Sequence, residues 1–178
     1  APIFAQQSVR ENVRTRRTPQ QVMDDAVWGV FQTGWHAPWG ADADHLKTTE
    51  DIDSFFDAGF TFFTIDPGEH VDNAAQHDTL ETLRAKVQAL PWDQLQSTPQ
   101  SIHGLYLDQV FQIENLTIVL DEITLLRALV KYGRAVAHTV RMAQHLAARA
   151  GSMPVDLEIS VDETETPTSP AEHFFVAA

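Results

Sequence analysis

Two carboxylates, an imidazole and an ammonium group stand within six consecutive positions of the chain. They belong to Asp42, Asp44, His45 and Lys47, and the start of a helix cap follows at Thr48. In a strand, neighbouring side chains point to opposite faces, so Asp44 and His45 can converge only if the chain turns after Asp44. Together they could supply a base and a metal ligand. A solvated loop with ordinary acids is the alternative interpretation.

Two later segments also end in acids, and both have strand-like sequences. Residues 60–66 are aromatic and β-branched and run into a Pro-Gly pair, which predicts a strand. Residues 155–162 alternate aliphatic and polar side chains with a period of two. The acids at these ends are Asp66, then Asp162 with Glu163 and Glu165 just beyond. If the strands are parallel, their acidic ends meet at one edge of a sheet, where active sites form.

The segments between these strands have the apolar spacing of helices. Helices are predicted over about 18–34, 49–58, 77–90 and 121–150, with a last one opening at Ser169. The region 91–120 has no clear period and is expected to be an insertion with a short hairpin. Strands that alternate with helices indicate parallel crossovers. The sequence therefore predicts an α/β fold, a partial TIM-barrel-like βα repeat with parallel strands.

Domain boundaries follow from the same pattern. Residues 1–17 hold four arginines and few apolar groups, and we expect an extended N-terminal arm there. Residues 18–178 are expected to form one α/β domain that is part of a larger (β/α) barrel. Three strands cannot close a barrel, and the last predicted helix is cut off at Ala178.

Composition disfavours several classes of partner. The chain has 25 acidic and 12 basic residues, a formal net charge of −13, which opposes binding to nucleic acid or anionic lipid. No apolar run approaches the length that spans a membrane. The absence of cysteine excludes disulfides and fits a reducing compartment. We therefore expect a cytoplasmic protein that binds neither nucleic acid nor membrane.

Four blocks of sequence, in order along the chain, resemble the tagaturonate epimerase family. They are residues 39–48, 58–67, 131–135 and 160–168. The resemblance implies an isomerase of hexuronate metabolism that uses a divalent metal cation and interconverts D-tagaturonate and D-fructuronate on a TIM-barrel-like fold. It also implies a small-molecule sugar acid as the partner. Whether copies of the chain form a homo-oligomer is left open.

The resemblance also implies roles for individual residues. In the family an acid beside a metal ligand accepts a proton, which corresponds to Asp44 beside His45. A second acid donates a proton, and Glu163 is favoured with Glu165 next. Strand alternation instead turns Asp162 inward, so the choice stays open.

The substrate and the remaining metal ligands complete the expected site. Asp66 and Asp162 are expected to bind the sugar acid. The family's other metal ligands would lie beyond Ala178, so the isolated chain is expected to lack part of the site and its activity.

The reaction itself restricts the mechanism. The two sugar acids differ at the carbon one bond beyond the position next to the ketone, so deprotonation next to the ketone would not invert it. Retro-aldol cleavage followed by re-addition would invert this carbon. The alternatives are a metal-dependent sugar-acid aldolase, which omits the re-addition, and a non-catalytic assembly fragment.

Overall fold

The computed structural model describes residues 1–161 and 164–178, and these form two compact units. The first unit is Ala1–Asp66 with Arg141–Ser160, and the second is Pro67–Val140 with Val161–Ala178. Asp162 and Glu163 lie outside the described residues. The single α/β domain expected for residues 18–178 stays a prediction.

Six strands and seven α-helices make up the described part of the chain. The strands are β1 (Ile3–Ser8), β2 (Gly40–Leu46), β3 (Phe62–Ile65), β4 (Val110–Ile113), β5 (Leu116–Val119) and β6 (Asp156–Ile159). The helices are α1 (Val9–Thr15), α2 (Pro19–Thr33), α3 (Thr49–Asp57), α4 (Leu80–Gln88), α5 (Pro99–Tyr106), α6 (Glu122–Ala150) and α7 (Pro170–Ala177). Two short 3-10 helices lie at Gly68–His70 and Asn73–Gln76.

The first unit is built on a four-stranded sheet with the order β1-β2-β3-β6. Every neighbouring pair is parallel, which confirms the parallel crossovers predicted from the order of elements. Within the described residues the sheet is open, with β1 and β6 at its edges. The α/β class is therefore confirmed, and the TIM-barrel-like closure stays a prediction.

The N-terminal residues form regular structure, so the expected extended arm over 1–17 is wrong. They make β1, which pairs with β2, and then α1. Ser8 joins the two elements because its hydroxyl accepts from the Glu11 backbone N–H at 3.2 Å in a capping box. The sequence hides this strand because Gln6, Gln7 and Ser8 are polar. The pairing with β2 satisfies their backbone groups.

Alternation along the strands gives the sheet one apolar face and one polar face. The apolar face carries Ala43, Leu46, Phe63 and Ile65, which are fully buried. They pack with Ile52 and Phe55 of α3 and with Met142 and Leu146 of α6. Ridges of apolar side chains from two helices thus cover this face, and the opposite face is left for polar groups.

The second unit contains α4, α5, α7, most of α6 and an antiparallel hairpin of β4 and β5. This pair confirms the short hairpin predicted within 91–120, and the insertion stays a prediction. Helix α6 is continuous, so Gly133 does not divide it. A Cβ at Gly133 would come within 2.8 Å of Leu90 Cδ1, and this close approach favours glycine there. Among the described residues, no helix is both long and apolar enough to cross a membrane.

The core of the first unit yields a stability prediction. Phe63 is fully buried, so Phe63→Ala should lower the free energy of unfolding by about 3–5 kcal/mol through lost burial and a residual cavity. Chemical denaturation measures this change. Phe31→Ala is the matched control, because Phe31 is 76% exposed and its loss should stay within about 0.5 kcal/mol. Equal losses at the two positions would contradict the burial described here.

Candidate active site

The carboxyl end of β2 brings Asp44 and His45 together. His45 has a φ of 55°, in the left-handed region, and the β2–β3 register shifts between Ala43 and Leu46. This irregularity is the turn that the sequence requires if the two side chains are to converge. His45 Nδ1 lies 2.7 Å from Asp44 Oδ1. Left-handed backbone at a residue other than glycine is uncommon and clusters at functional sites.

The hydrogen bond between these two side chains sets the tautomer of the imidazole. A carboxylate can only accept, so with a neutral imidazole this contact puts the proton on Nδ1 of His45 and leaves the lone pair on Nε2. Metal-binding histidines commonly have this arrangement, with a carboxylate orienting the ring from the far side. Both side chains are about one-third exposed or less, 33% for His45 and 26% for Asp44. A small molecule can therefore reach them.

Asp66 follows β3 and lies beside the end of β2. Its backbone N–H donates to the Leu46 carbonyl at 2.9 Å, and its carboxylate Oδ2 is 3.5 Å from Lys47 Nζ. The side chain of Asp66 is only 5% exposed. The two acid-tipped strands β2 and β3 thus end at the same edge, as predicted.

The third acid-tipped strand ends at this edge as well. The Ser160 backbone N–H donates to the Ile65 carbonyl at 2.9 Å, so β6 and β3 end in step. Asp162 and Glu163 lie outside the described residues. Glu165 is exposed in the second unit, where its backbone N–H donates to Asn73 Oδ1 at 3.2 Å. The choice of proton donor stays a prediction.

A row of polar side chains crosses all four strands on the polar face of the sheet. Gln6 Nε2 donates to Asp42 Oδ2 at 3.0 Å. Thr64 Oγ1 lies 2.8 Å from Glu158 Oε2 and 3.5 Å from Asp42 Oδ1. Gln6, Thr64 and Glu158 are not among the site residues predicted from the sequence. Their period-two positions in β1, β3 and β6 are the signal that could have found them.

Two carboxylates of this row compete for one hydroxyl. The single proton of Thr64 Oγ1 can serve only one acceptor at a time, and Glu158 is the nearer. Burial raises the pKa of Asp42 above its ordinary value, and the negative charges of Asp44 and Glu158 raise this pKa further. Hydrogen bonds from Gln6 and Thr64 oppose this rise. Asp42 therefore keeps its proton to a higher pH than an exposed aspartate does.

The donor atoms present fit one corner of a metal site. His45 offers Nε2, and its ring is oriented by Asp44 as a metal ligand requires. Among residues 1–161 and 164–178, no group of three or more His, Asp or Glu side chains is placed to hold a metal ion. A complete coordination sphere would need three or four such ligands.

The raised pKa of Asp42 yields a prediction about pH. The folded chain binds this proton more tightly than the unfolded chain, so the contribution of Asp42 to stability falls as pH rises above the ordinary value of 3.8. Asp42→Asn should therefore be more stable than wild type at neutral pH, and the difference should vanish below pH 3.8. Thermal unfolding across this pH range measures the effect.

Asp121→Asn is the control with the opposite sign. Hydrogen bonds from Thr124 at the start of α6 lower the pKa of Asp121, so its charge stabilises the folded chain above the ordinary value of 3.8. This variant should be less stable than wild type at neutral pH and should approach wild type in acid. The same sign in both variants would contradict the assigned surroundings of Asp42.

Comparisons with known proteins identify the family to which the chain belongs. A family model described as tagaturonate epimerase matches residues 1–178. A tagaturonate/fructuronate epimerase of Thermotoga maritima is 46% identical over 175 residues, which cover 98% of this chain and 34% of that protein.

Solved structures of a fructuronate-tagaturonate epimerase from Cohnella laeviribosi are similar as well. A native structure and a glycerol complex each superpose with a TM-score of 0.87 and 40% identity, covering 99% of this chain and 35% of theirs. The chain thus spans about a third of the length of the relatives it matches. With a family model matched along all 178 residues, this chain belongs to the tagaturonate epimerase family.

Proposed function

We propose that the protein carrying this chain interconverts D-tagaturonate and D-fructuronate, and that the ends of β2 and β3 supply one side of its active site. The observation that carries the proposal is the 2.7 Å pair of Asp44 and His45 at the carboxyl end of a parallel strand. The relatives named as tagaturonate/fructuronate epimerases support the reaction. Strand ends of this kind are where α/β enzymes place catalytic groups.

His45 would hold a divalent metal cation through Nε2, and further ligands would complete its coordination. Asp44 keeps the imidazole in the required tautomer and orientation. A cation bound there would act as a Lewis acid on the ketone of the sugar acid.

Asp44 is the proposed base of a retro-aldol step. It removes the hydroxyl proton at the carbon to be inverted, and the electron pair of the adjacent carbon–carbon bond passes to the ketone fragment as an enolate. The new aldehyde turns its other face, and the enolate adds back to it. The alkoxide then takes a proton from an acid of the block 162–165, with Glu163 favoured and Glu165 next. After turnover Asp44 carries the proton that the donor acid has lost, and exchange of both groups with solvent restores the starting state. Atoms and charge then balance, and no redox partner is required.

Binding of the sugar acid is assigned to Asp66 and Asp162. A carboxylate accepts hydrogen bonds from sugar hydroxyls, and Lys47 at 3.5 Å offsets the charge of Asp66. We place the enzyme in the cytoplasm, with a small sugar acid as its partner. The net charge of −13 disfavours nucleic acid as another partner.

The assignment of Asp44 as the base predicts the effect of replacing one oxygen of its carboxylate by an amide nitrogen. Asp44→Asn in a protein of family length should lower kcat by about 10²–10⁴-fold, the usual worth of a general base. The amide oxygen can still accept from His45 Nδ1, so metal should still bind when it is supplied in excess. Turnover of D-tagaturonate, followed by chromatography of both epimers, measures it.

Asp24→Asn serves as the matched control, since Asp24 is exposed on α2. Near-wild-type turnover by Asp44→Asn would overturn the base assignment. The same chromatograms test the aldolase alternative, because an aldolase would accumulate three-carbon fragments in place of the second epimer.

The ligand assignment predicts a loss of metal. His45→Gln should lower metal content and raise the metal concentration needed for half-maximal turnover by at least about 10–100-fold, since loss of a group that only orients a ligand already costs that much. Elemental analysis after dialysis and metal titration of the chelated protein measure both quantities. His36→Gln, at an exposed position, should behave as wild type. Equal metal content in the two variants would remove His45 from the site.

A further inference from the structure

Helix α6 buries a lysine and a tyrosine side by side in the second unit. Lys131 and Tyr132 are each 1% exposed. An ammonium group is rarely buried unless it is fully paired, because leaving water is costly. Lys131 Nζ lies 3.3 Å from Glu172 Oε1, 3.2 Å from Thr166 Oγ1 and 3.5 Å from the Thr166 carbonyl oxygen. Its three N–H groups thus meet three acceptors.

Tyr132 contacts the same segment two residues further on. Its hydroxyl lies 2.8 Å from Thr168 Oγ1. The Lys131 ammonium also lies 5.1 Å from the centre of the Tyr132 ring, a cation–π contact. Lys131 and Tyr132 therefore both hydrogen-bond to the segment 166–168, and we call this set of contacts the grip.

Glu172 links this grip to the start of α7. Its Oε1 accepts from Lys131, and its Oε2 accepts from the Ser169 backbone N–H at 2.7 Å in a capping box. Ser169 Oγ in turn accepts from the Glu172 backbone N–H. Residues 166–172 are thereby held at both ends by one buried lysine and one helix cap.

We propose that Lys131 and Tyr132 are positioning residues that, by holding Thr166 and Thr168, fix the backbone at Glu165. This inference rests on the proposed function, since Glu165 is one of the acids to which the proton donor is assigned. Glu165 is directly joined to the gripped Thr166, and its own backbone N–H is held by Asn73. A donor that must protonate the alkoxide formed on re-addition has to lie within hydrogen-bond reach of that oxygen.

The choice of residue types favours positioning over stability alone. A buried ion pair such as Lys131 and Glu172 contributes little net stability compared with an apolar pair of the same volume. An apolar pair, however, could not hold the Thr166 carbonyl and hydroxyl. The ammonium of Lys131 thus supplies hydrogen bonds to Thr166 that apolar packing cannot supply.

Hydrogen exchange of this chain tests the grip directly. Lys131→Met should speed amide exchange of residues 164–169 by about tenfold or more, because its hydrogen bonds to Thr166 are lost. Tyr132→Phe should speed the same amides by about fivefold. Tyr106→Phe is the matched control, since it removes a hydroxyl from α5 and should leave those amides unchanged. Exchange that is unchanged in both test variants, or raised evenly across the second unit, would overturn the proposal.

A double variant separates the ion pair from the grip. Lys131→Met with Glu172→Gln removes both buried charges, so it should recover part of the Tm lost by Lys131→Met while exchange at residues 164–169 stays fast. Recovery of slow exchange together with Tm would show that the lysine serves only charge balance. If Lys131→Met does not fold, Tyr132→Phe alone still decides, because it keeps the aromatic ring and the charge pair.

Kinetics of the family-length protein connect the grip to the reaction. Tyr132→Phe should lower kcat about tenfold with little change in KM, because a displaced donor weakens only the transition state. A change in KM alone would contradict a positioning role. Absence of epimerase activity in the wild type would instead overturn the proposed function, and the exchange experiment would still decide whether the grip exists.

Discussion

Parallel pairing of β2 with β1 on one side and β3 on the other determines which residues meet at the candidate site in the first unit. Parallel strands run in one direction, so their carboxyl ends must lie at the same edge of the sheet. Asp44 and Asp66 are 22 positions apart in sequence, and this pairing places them at the same edge. The contact between Asp66 and Lys47 is therefore a product of strand direction, whereas the contact between Asp44 and His45 comes from the left-handed backbone at His45.

The same pairing places apolar and polar side chains on opposite faces of the sheet. Odd-numbered positions such as Ala43, Phe63 and Ile65 pack under helices, and even-numbered positions such as Asp42 and Thr64 gather polar groups. A slip of one residue would exchange the two faces and bury the carboxylates in the apolar core. The buried aromatic residues that hold the register thus also protect the placement of the polar row. The same hydrogen bonds between strands therefore hold the apolar core on one face of the sheet and the polar row on the other.

The predictable parts of this fold are those in which a local pattern and the final packing agree. Helix α2 has a threonine cap, a proline and regular apolar spacing, and β3 has an unbroken aromatic and β-branched run, so both were predicted to within a few residues. Strand β1 was missed because its polar side chains, such as Gln6, are satisfied by partners far along the chain. Lys131 was noted only within a family motif, because nothing local in a helical sequence reveals a buried acceptor set 35 residues away. A single sequence does not show which residues become partners over such distances along the chain.

The left-handed backbone at His45 restricts which side chains can serve there. Apart from glycine, the residues that tolerate this conformation are chiefly asparagine, aspartate and histidine, and β-branched residues are strongly disfavoured. Only histidine among them offers a ring nitrogen, and the other two offer oxygen. The backbone conformation thus restricts the substitutions accepted at position 45. A substitution that preserves the loop can exchange a nitrogen donor for an oxygen donor, but it cannot readily introduce a bulky apolar group. For the cation proposed at His45, such an exchange would change the donor atom while the backbone stayed the same.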